Sequence, residues 1–159
     1  MKKLSFANRQ KLNFFLPFLK LNHKIIDFGC GSMWLTNYLR KLGYDCIGFD
    51  IKPPADIIGD VKSYKFAEAS FDVVIALEII EHVNCIEEIK HILKPGGLLI
   101  VSTPIPKFDL LFRIGEYFSL LQKRTSPHSN LLNIDSIPFK LIKKKTLFGI
   151  VQCGIFQKA

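Results

Sequence analysis

FDVVIAL (71–77) is apolar at nearly every position rather than at every second one, and KIIDF (24–28) and LLIVST (98–103) each carry consecutive apolar residues as well. Strands of that kind are covered on both faces, which restricts them to a sheet sandwiched between helices, and such sheets are mostly parallel. Helical stripes lie between them. Leu35, Tyr38, Leu39 and Leu42 form one, with Ser32 as its expected cap and Gly43 as its stop. Ile86, Ile89 and Leu93 form another, with Asn84 and Glu87 spaced as a capping box and Lys94-Pro95-Gly96-Gly97 as the break before the next strand. Adding YDCIGFD (44–50) and a brief strand over 55–58, strand and helix alternate four times. That order predicts a doubly wound α/β fold, a mostly parallel sheet with right-handed crossovers and helices on both faces.

The ends are read with less periodicity. Leu12, Phe15, Leu16 and Leu19 predict a helix over 8–21 that Pro17 kinks or shortens. Beyond Pro104, the spacing of Leu110, Leu111, Ile114, Tyr117, Phe118 and Leu121 predicts a helix over 107–123, more in keeping with a core stripe than a binding surface. Residues 124–138 read as a loop. Two strands over 139–145 and 148–156 then form a C-terminal antiparallel hairpin. The 159 residues are expected to make one domain: an N-terminal helical lid (1–23), a ligand-binding core (24–104), and a cover helix, loop and strand pair (105–159).

Composition narrows the setting. No apolar run reaches 18 residues without a charge or proline, which argues against a membrane span. Cys30, Cys46, Cys85 and Cys153 make no CxxC pair, a pattern that suits reduced thiols in a cytoplasmic protein better than a zinc site or disulfides. The net charge of +8 sits at the ends, with six Lys/Arg and no acid in 1–26 and five Lys and no acid in 136–159. Such a basic rim serves either solubility or an anionic partner such as RNA. The N-terminus lacks the Ser/Arg richness of a transit peptide and is treated as part of the fold.

The chemistry concentrates where 24–28 hands over to a helix through Gly29-Cys30-Gly31. Ligands of open α/β sheets bind beyond the carboxyl ends of the strands, and glycines there admit a ligand close to the backbone. Asp50 ends the next strand, where a carboxylate can accept both hydroxyls of a ribose. Those features point to an adenine nucleoside. A dinucleotide fingerprint needs a third glycine for close helix packing, and that position holds Trp34.

The segments IDFGCG (26–31), Asp50, GDV (59–61), FDVVIALEIIEHV (71–83) and LKPGGLLIVSTP (93–104), in this order and spacing, resemble class I S-adenosylmethionine-dependent methyltransferases, a Rossmann-like family. The resemblance covers 24–104 and is loose after that. It implies that Asp27, Gly29 and Gly31 shape the loop for the methionine moiety of S-adenosylmethionine. Asp50 would hold the ribose, Ile51 and Val61 would pack against the adenine, Asp60 would accept from its amino group, and the carbonyl of Leu77 would face the cofactor's amino group.

The motif Glu78-x-x-Glu81-His82 resembles the metal-binding signature of two subgroups, one acting on catechol-like quinone precursors and the other on the terminal ribose of small RNAs. On a helical turn the three residues would share a face. The resemblance then implies a divalent ion, Mg²⁺ or Mn²⁺, on Glu78, Glu81 and His82, with His82 near the acceptor, while His128 stands in the loop expected after the fifth strand, where it could close over the acceptor. The expected activity is methyl transfer to a small-molecule hydroxyl. Its rivals are an RNA methyltransferase using the basic ends, a silent cofactor-binding module serving a partner, and a nicotinamide-binding domain.

Overall fold

The structure, a computed structural model, describes residues 4–105 and 133–159. The helix expected over 107–123 and His128 lie outside the described residues. The described chain begins with α1 (Phe6–Phe15), followed by β1 (Lys24–Phe28), α2 (Trp34–Lys41), β2 (Asp45–Asp50), β3 (Ile57–Ile58) and β4 (Phe71–Leu77). It continues through α3 (Ile86–Ile92), β5 (Leu93–Pro104), β6 (Lys140–Leu147) and β7 (Val151–Gln157). The seven strands form one sheet in the order β3-β2-β1-β4-β5-β7-β6. The first five are parallel, while β7 runs antiparallel to both β5 and β6. The chain winds one way from β1 to β3 and the other way from β4 to β5. The reversal therefore falls between β1 and β4, where α/β sheets place their ligands.

Period-2 geometry sorts neighbouring side chains to opposite faces. Ile25, Val73, Ile75, Ile100 and Ile155 join a core covered by Leu12 and Phe15 of α1 and by Leu35 and Leu39 of α2. Ile26, Val74, Leu99, Val101 and Phe156 join a second core under Ile86, Ile89 and Ile92 of α3 and Ile134. The doubly wound architecture with helices on both faces is thus observed. No helix among the described residues is long and apolar enough to cross a membrane.

Local corrections have local causes. The N-terminal helix stops at Phe15 and passes into a 3-10 turn over Leu16–Phe18 that carries Pro17, because a proline ring cannot follow four residues of α-helix. Ser32 does not cap α2. The helix starts at Trp34, with Met33 as cap in the left-handed region (φ 57°), because the chain first closes a turn by Met33 N–H donating to the Cys30 carbonyl at 2.8 Å. The Asn84 capping box also fails: Cys85 precedes α3 and no side chain caps it. Finally, β5 takes in the Lys94-Pro95-Gly96-Gly97 stretch, at the cost of a shift in register against β4. Gly96 N–H donates to the Lys158 carbonyl and Lys158 N–H to the Gly97 carbonyl, which satisfies that stretch.

Candidate active site

The loop after β1 is built around two left-handed glycines. Gly29 has φ 77°, and a Cβ there would lie 2.8 Å from Cγ1 and 2.9 Å from Cδ1 of Ile79, so only glycine fits. Gly31 has φ 50°, and a Cβ there would meet nothing within 4 Å, which leaves open space beside its Cα. The N–H groups of Gly29 and Cys30 both donate to the Phe49 carbonyl, at 2.8 and 3.0 Å, and tie this loop to the end of β2.

Asp50 completes the tie. Its Oδ2 accepts from Gly31 N–H at 2.8 Å and its Oδ1 from Lys52 N–H at 3.2 Å. A carboxylate has about four lone-pair sites. Two backbone donors orient Asp50 and leave acceptor capacity for a diol. The segment beyond is braced by Asp56, whose Oδ2 accepts from Gly48 N–H at 2.6 Å and from Arg40 at 2.7 Å. These bonds hold its carboxyl below the usual carboxylate range despite the opposing effect of desolvation.

A cavity of about 300 Å³ opens at this edge. Phe28, Gly29, Phe49, Asp50 and Ile51 contribute from the ends of β1 and β2. Gly59, Asp60 and Val61 contribute from the segment after β3, and Ile79, His82 and Val83 from the turn after β4. Ile51 is 61% exposed although apolar. Asp60 Oδ1 accepts from Lys62 N–H at 2.9 Å and its carbonyl from the N–H groups of Ser63 and Tyr64, so its turn is fixed. Behind the cavity, the Phe49, Tyr64 and Phe66 rings pack with centroids 4.5 to 5.5 Å apart. The cavity thus combines two carboxylates, which can accept hydroxyl or amino hydrogens, with apolar side chains that can pack against a flat ring.

Of the predicted residues, Gly29, Asp50, Ile51, Asp60, Val61 and His82 line this cavity together. Gly31 adjoins it through Asp50. Asp27 sits beneath the loop instead. It is 3% exposed, and its Oδ2 accepts from Thr36 N–H at 3.1 Å and from the Thr36 hydroxyl at 2.7 Å. Burial pushes its carboxyl up to about 6, against the pull of those bonds. Its place is in joining β1 to α2. Leu77 packs with the α1 and α2 core at the end of β4.

The Glu78-x-x-Glu81-His82 turn departs from expectation. Glu78 takes a left-handed backbone (φ 57°), and its N–H donates to the Ser102 carbonyl at 2.7 Å. The helical spacing that would align the three side chains is therefore lost. Glu78 pairs with Lys11 of α1. Glu81 is 1% exposed, and burial pushes its carboxyl up to about 7, with the nearby Thr103 hydroxyl opposing. Among the described residues no three of His, Cys, Asp and Glu gather as a metal site, so the donor set implied for Mg²⁺ does not fit. The sequence reading missed Phe28, Phe49, Gly59, Ile79 and Val83 as cavity residues, and also Lys11. A lysine placed three and four residues before Phe14 and Phe15, on the buried side of α1, was the only cue to the last.

Comparison with known proteins agrees with this architecture. A profile described as a methyltransferase domain matches residues 2–137. The ubiquinone biosynthesis O-methyltransferase of Cereibacter sphaeroides is 30% identical over 164 residues, covering 88% of this chain and 65% of that one. The mitochondrial enzyme of the same name from Rattus norvegicus is 32% identical over 122 residues, 60% of this chain and 34% of its own. The chain thus spans less than two thirds of the length of these relatives. Among solved structures, an S-adenosylmethionine-dependent methyltransferase from Methanosarcina mazei superposes with a TM-score of 0.70 at 19% identity, covering 91% of this chain and 96% of that one. The Burkholderia thailandensis 1,6-didemethyltoxoflavin-N1-methyltransferase does so with a TM-score of 0.71 at 13% identity, covering 97% and 79%. The domain match across most of the chain and the shared strand plan lead to one assignment: the chain belongs to the class I S-adenosylmethionine-dependent methyltransferase family.

Proposed function

We propose that this protein transfers a methyl group from S-adenosylmethionine to a hydroxyl of a small molecule. The observation that carries the reading is the cavity lined together by Asp50, Asp60 and His82. In this reading Asp50 accepts the ribose hydroxyls, Ile51 and Val61 sandwich the adenine, and Asp60 accepts from its amino group. The open space beside Gly31 and the Leu77 carbonyl receive the methionine end. Bound there, the cofactor supplies a sulfonium methyl, and the protein contributes alignment and exclusion of water.

With the cofactor in place, the acceptor oxygen would bond to the methyl carbon as the carbon–sulfur bond broke, the electron pair remaining on sulfur. His82 takes the hydroxyl proton, a step needed because a neutral hydroxyl is a weak nucleophile. The names of the ubiquinone O-methyltransferases support a hydroxyl acceptor on a small aromatic compound. Four unpaired buried cysteines support a reducing compartment such as the cytoplasm.

Thermal unfolding with S-adenosylhomocysteine, NAD or ATP tests the ligand. A ligand at one hundred times its Kd stabilises by about 2.7 kcal/mol, readily seen as a higher midpoint. S-adenosylhomocysteine is expected to give that shift and NAD none. The reverse pattern would replace this reading with the nicotinamide one. Labelled S-adenosylmethionine incubated with catechol-type hydroxybenzoates then tests the acceptor class.

A further inference from the structure

Lys11 is the buried cation of the active edge. It lies in α1, is 7% exposed, and its ammonium donates to Oε1 of Glu78, sixty-seven residues away. Its neighbours Leu12, Phe14 and Phe15 are buried in the core beneath the sheet and fix where the lysine emerges. An ammonium withdrawn from water costs several kcal/mol unless a carboxylate meets it, so the pair holds each partner in place. The charges of both Lys11 and Glu78 reach Glu81, three residues on. One ammonium is therefore bonded to the first of the two carboxylates that the sequence motif would give to a divalent ion, three residues from the second.

We propose that Lys11 is the resident cation of the Glu78–Glu81 turn, standing where a divalent ion would otherwise be held and fastening α1 to the turn that follows β4. This rests on the methyltransferase reading of the same edge. A divalent ion needs at least two carboxylate oxygens free to converge with the imidazole. Here Glu78 is committed to Lys11 and Glu81 is enclosed, so Glu78 is the carboxylate that must be released before the two could share an ion. An ammonium neutralises carboxylates as a metal does, but it has no empty position to polarise a hydroxyl. Deprotonation of the acceptor then falls to His82, and Lys11 acts as a positioning residue.

The test is Mn²⁺ binding to the intact protein, read from the resonance of free Mn²⁺, with S-adenosylhomocysteine affinity measured by calorimetry on the same samples. Wild type and Lys11→Arg are expected to leave Mn²⁺ free, and cofactor affinity is expected to be unchanged by a chelator. Lys11→Met releases Glu78 and should bind Mn²⁺ at least about tenfold more tightly than wild type, a gain of about 1.4 kcal/mol. Glu78→Gln in the same chain should remove that gain. A merely structural lysine would lower stability in Lys11→Met without creating affinity for Mn²⁺, and that result would overturn the proposal. So would one Mn²⁺ per chain on the wild type that disappears in Glu78→Gln. This second arm needs no Lys11 variant and stands even if Lys11→Met fails to fold. A wild type that binds no S-adenosylhomocysteine defeats the cofactor reading separately, while the Mn²⁺ comparison still reports on Lys11.

Discussion

Two aspartates a few residues apart in space do different work. Asp50 is at the rim, held by two backbone donors. Asp50→Ala removes the acceptor for the ribose and should weaken S-adenosylhomocysteine binding by about 1–3 kcal/mol, the scale of a lost hydrogen bond to a charged group. Calorimetry showing undiminished affinity would move the ribose elsewhere. Asp27 is enclosed, and desolvation raises its carboxyl from 3.8 to about 6. The folded state therefore holds the proton more tightly than the unfolded one. Asp27 stabilises fully below about pH 4, and that contribution is lost as pH rises to about 6. Asp27→Asn can still accept both Thr36 bonds through its amide oxygen and cannot ionise. Its stability relative to wild type should climb between pH 4 and 6 by up to about 3 kcal/mol, then level off. Parallel denaturation profiles for the two proteins across that range would show that Asp27 does not titrate there. Both aspartates were visible in the sequence as motif positions. Their division into rim and interior was not, because it depends on Thr36 and Gly31 reaching them from neighbouring segments.

At the level of elements, the continuous apolar strands were legible almost residue for residue: β1 and β4 have the predicted bounds. Burial on both faces leaves a strong one-dimensional signal. Caps were poorly legible, since Ser32 and Asn84 are chemically able to cap but the chain turns before each helix begins. The turn between β4 and α3 was misread for a related reason. Helical spacing of Glu78, Glu81 and His82 is a valid inference only if the backbone is helical, and contact with the glycine loop imposes otherwise. Gly29 and Ile79 are the two sides of that contact. Gly29→Ala should lower stability by about 1–3 kcal/mol, from the left-handed backbone and the overlap with Ile79 together. Adding Ile79→Ala should relieve the overlap without removing the backbone cost, a partial recovery read by chemical denaturation. Additive losses in the double variant would mean the two residues do not compete for one space.

Over the whole molecule, the charge at the ends turns out to be partly structural. Lys11 pairs with Glu78, Lys143 lies 5.8 and 5.4 Å from the Phe14 and Phe18 ring centres, Lys144 pairs with Asp135, and Lys158 donates to the Lys90 and Leu93 carbonyls. The termini are thereby fastened to the sheet, which mere excess of lysine in the sequence did not reveal. More consequential is the separation of the two cores. The cavity draws on Phe28, Phe49 and Val61 of the α3-side core, while α1 and α2 pack on the other face. Phe15, 1% exposed, belongs wholly to that other face. Phe15→Ala should cost about 3–5 kcal/mol, a large share of the 5–15 kcal/mol that holds a domain together. Because the sheet intervenes between Phe15 and the cavity, cofactor affinity should stay within about twofold of wild type. Saturating S-adenosylhomocysteine should then raise the unfolding free energy of variant and wild type by equal amounts, about 2.7 kcal/mol at one hundred times Kd. A variant that the cofactor stabilises much less than wild type would show that α1 and the binding edge are one energetic unit, coupled across the sheet through the Lys11–Glu78 pair.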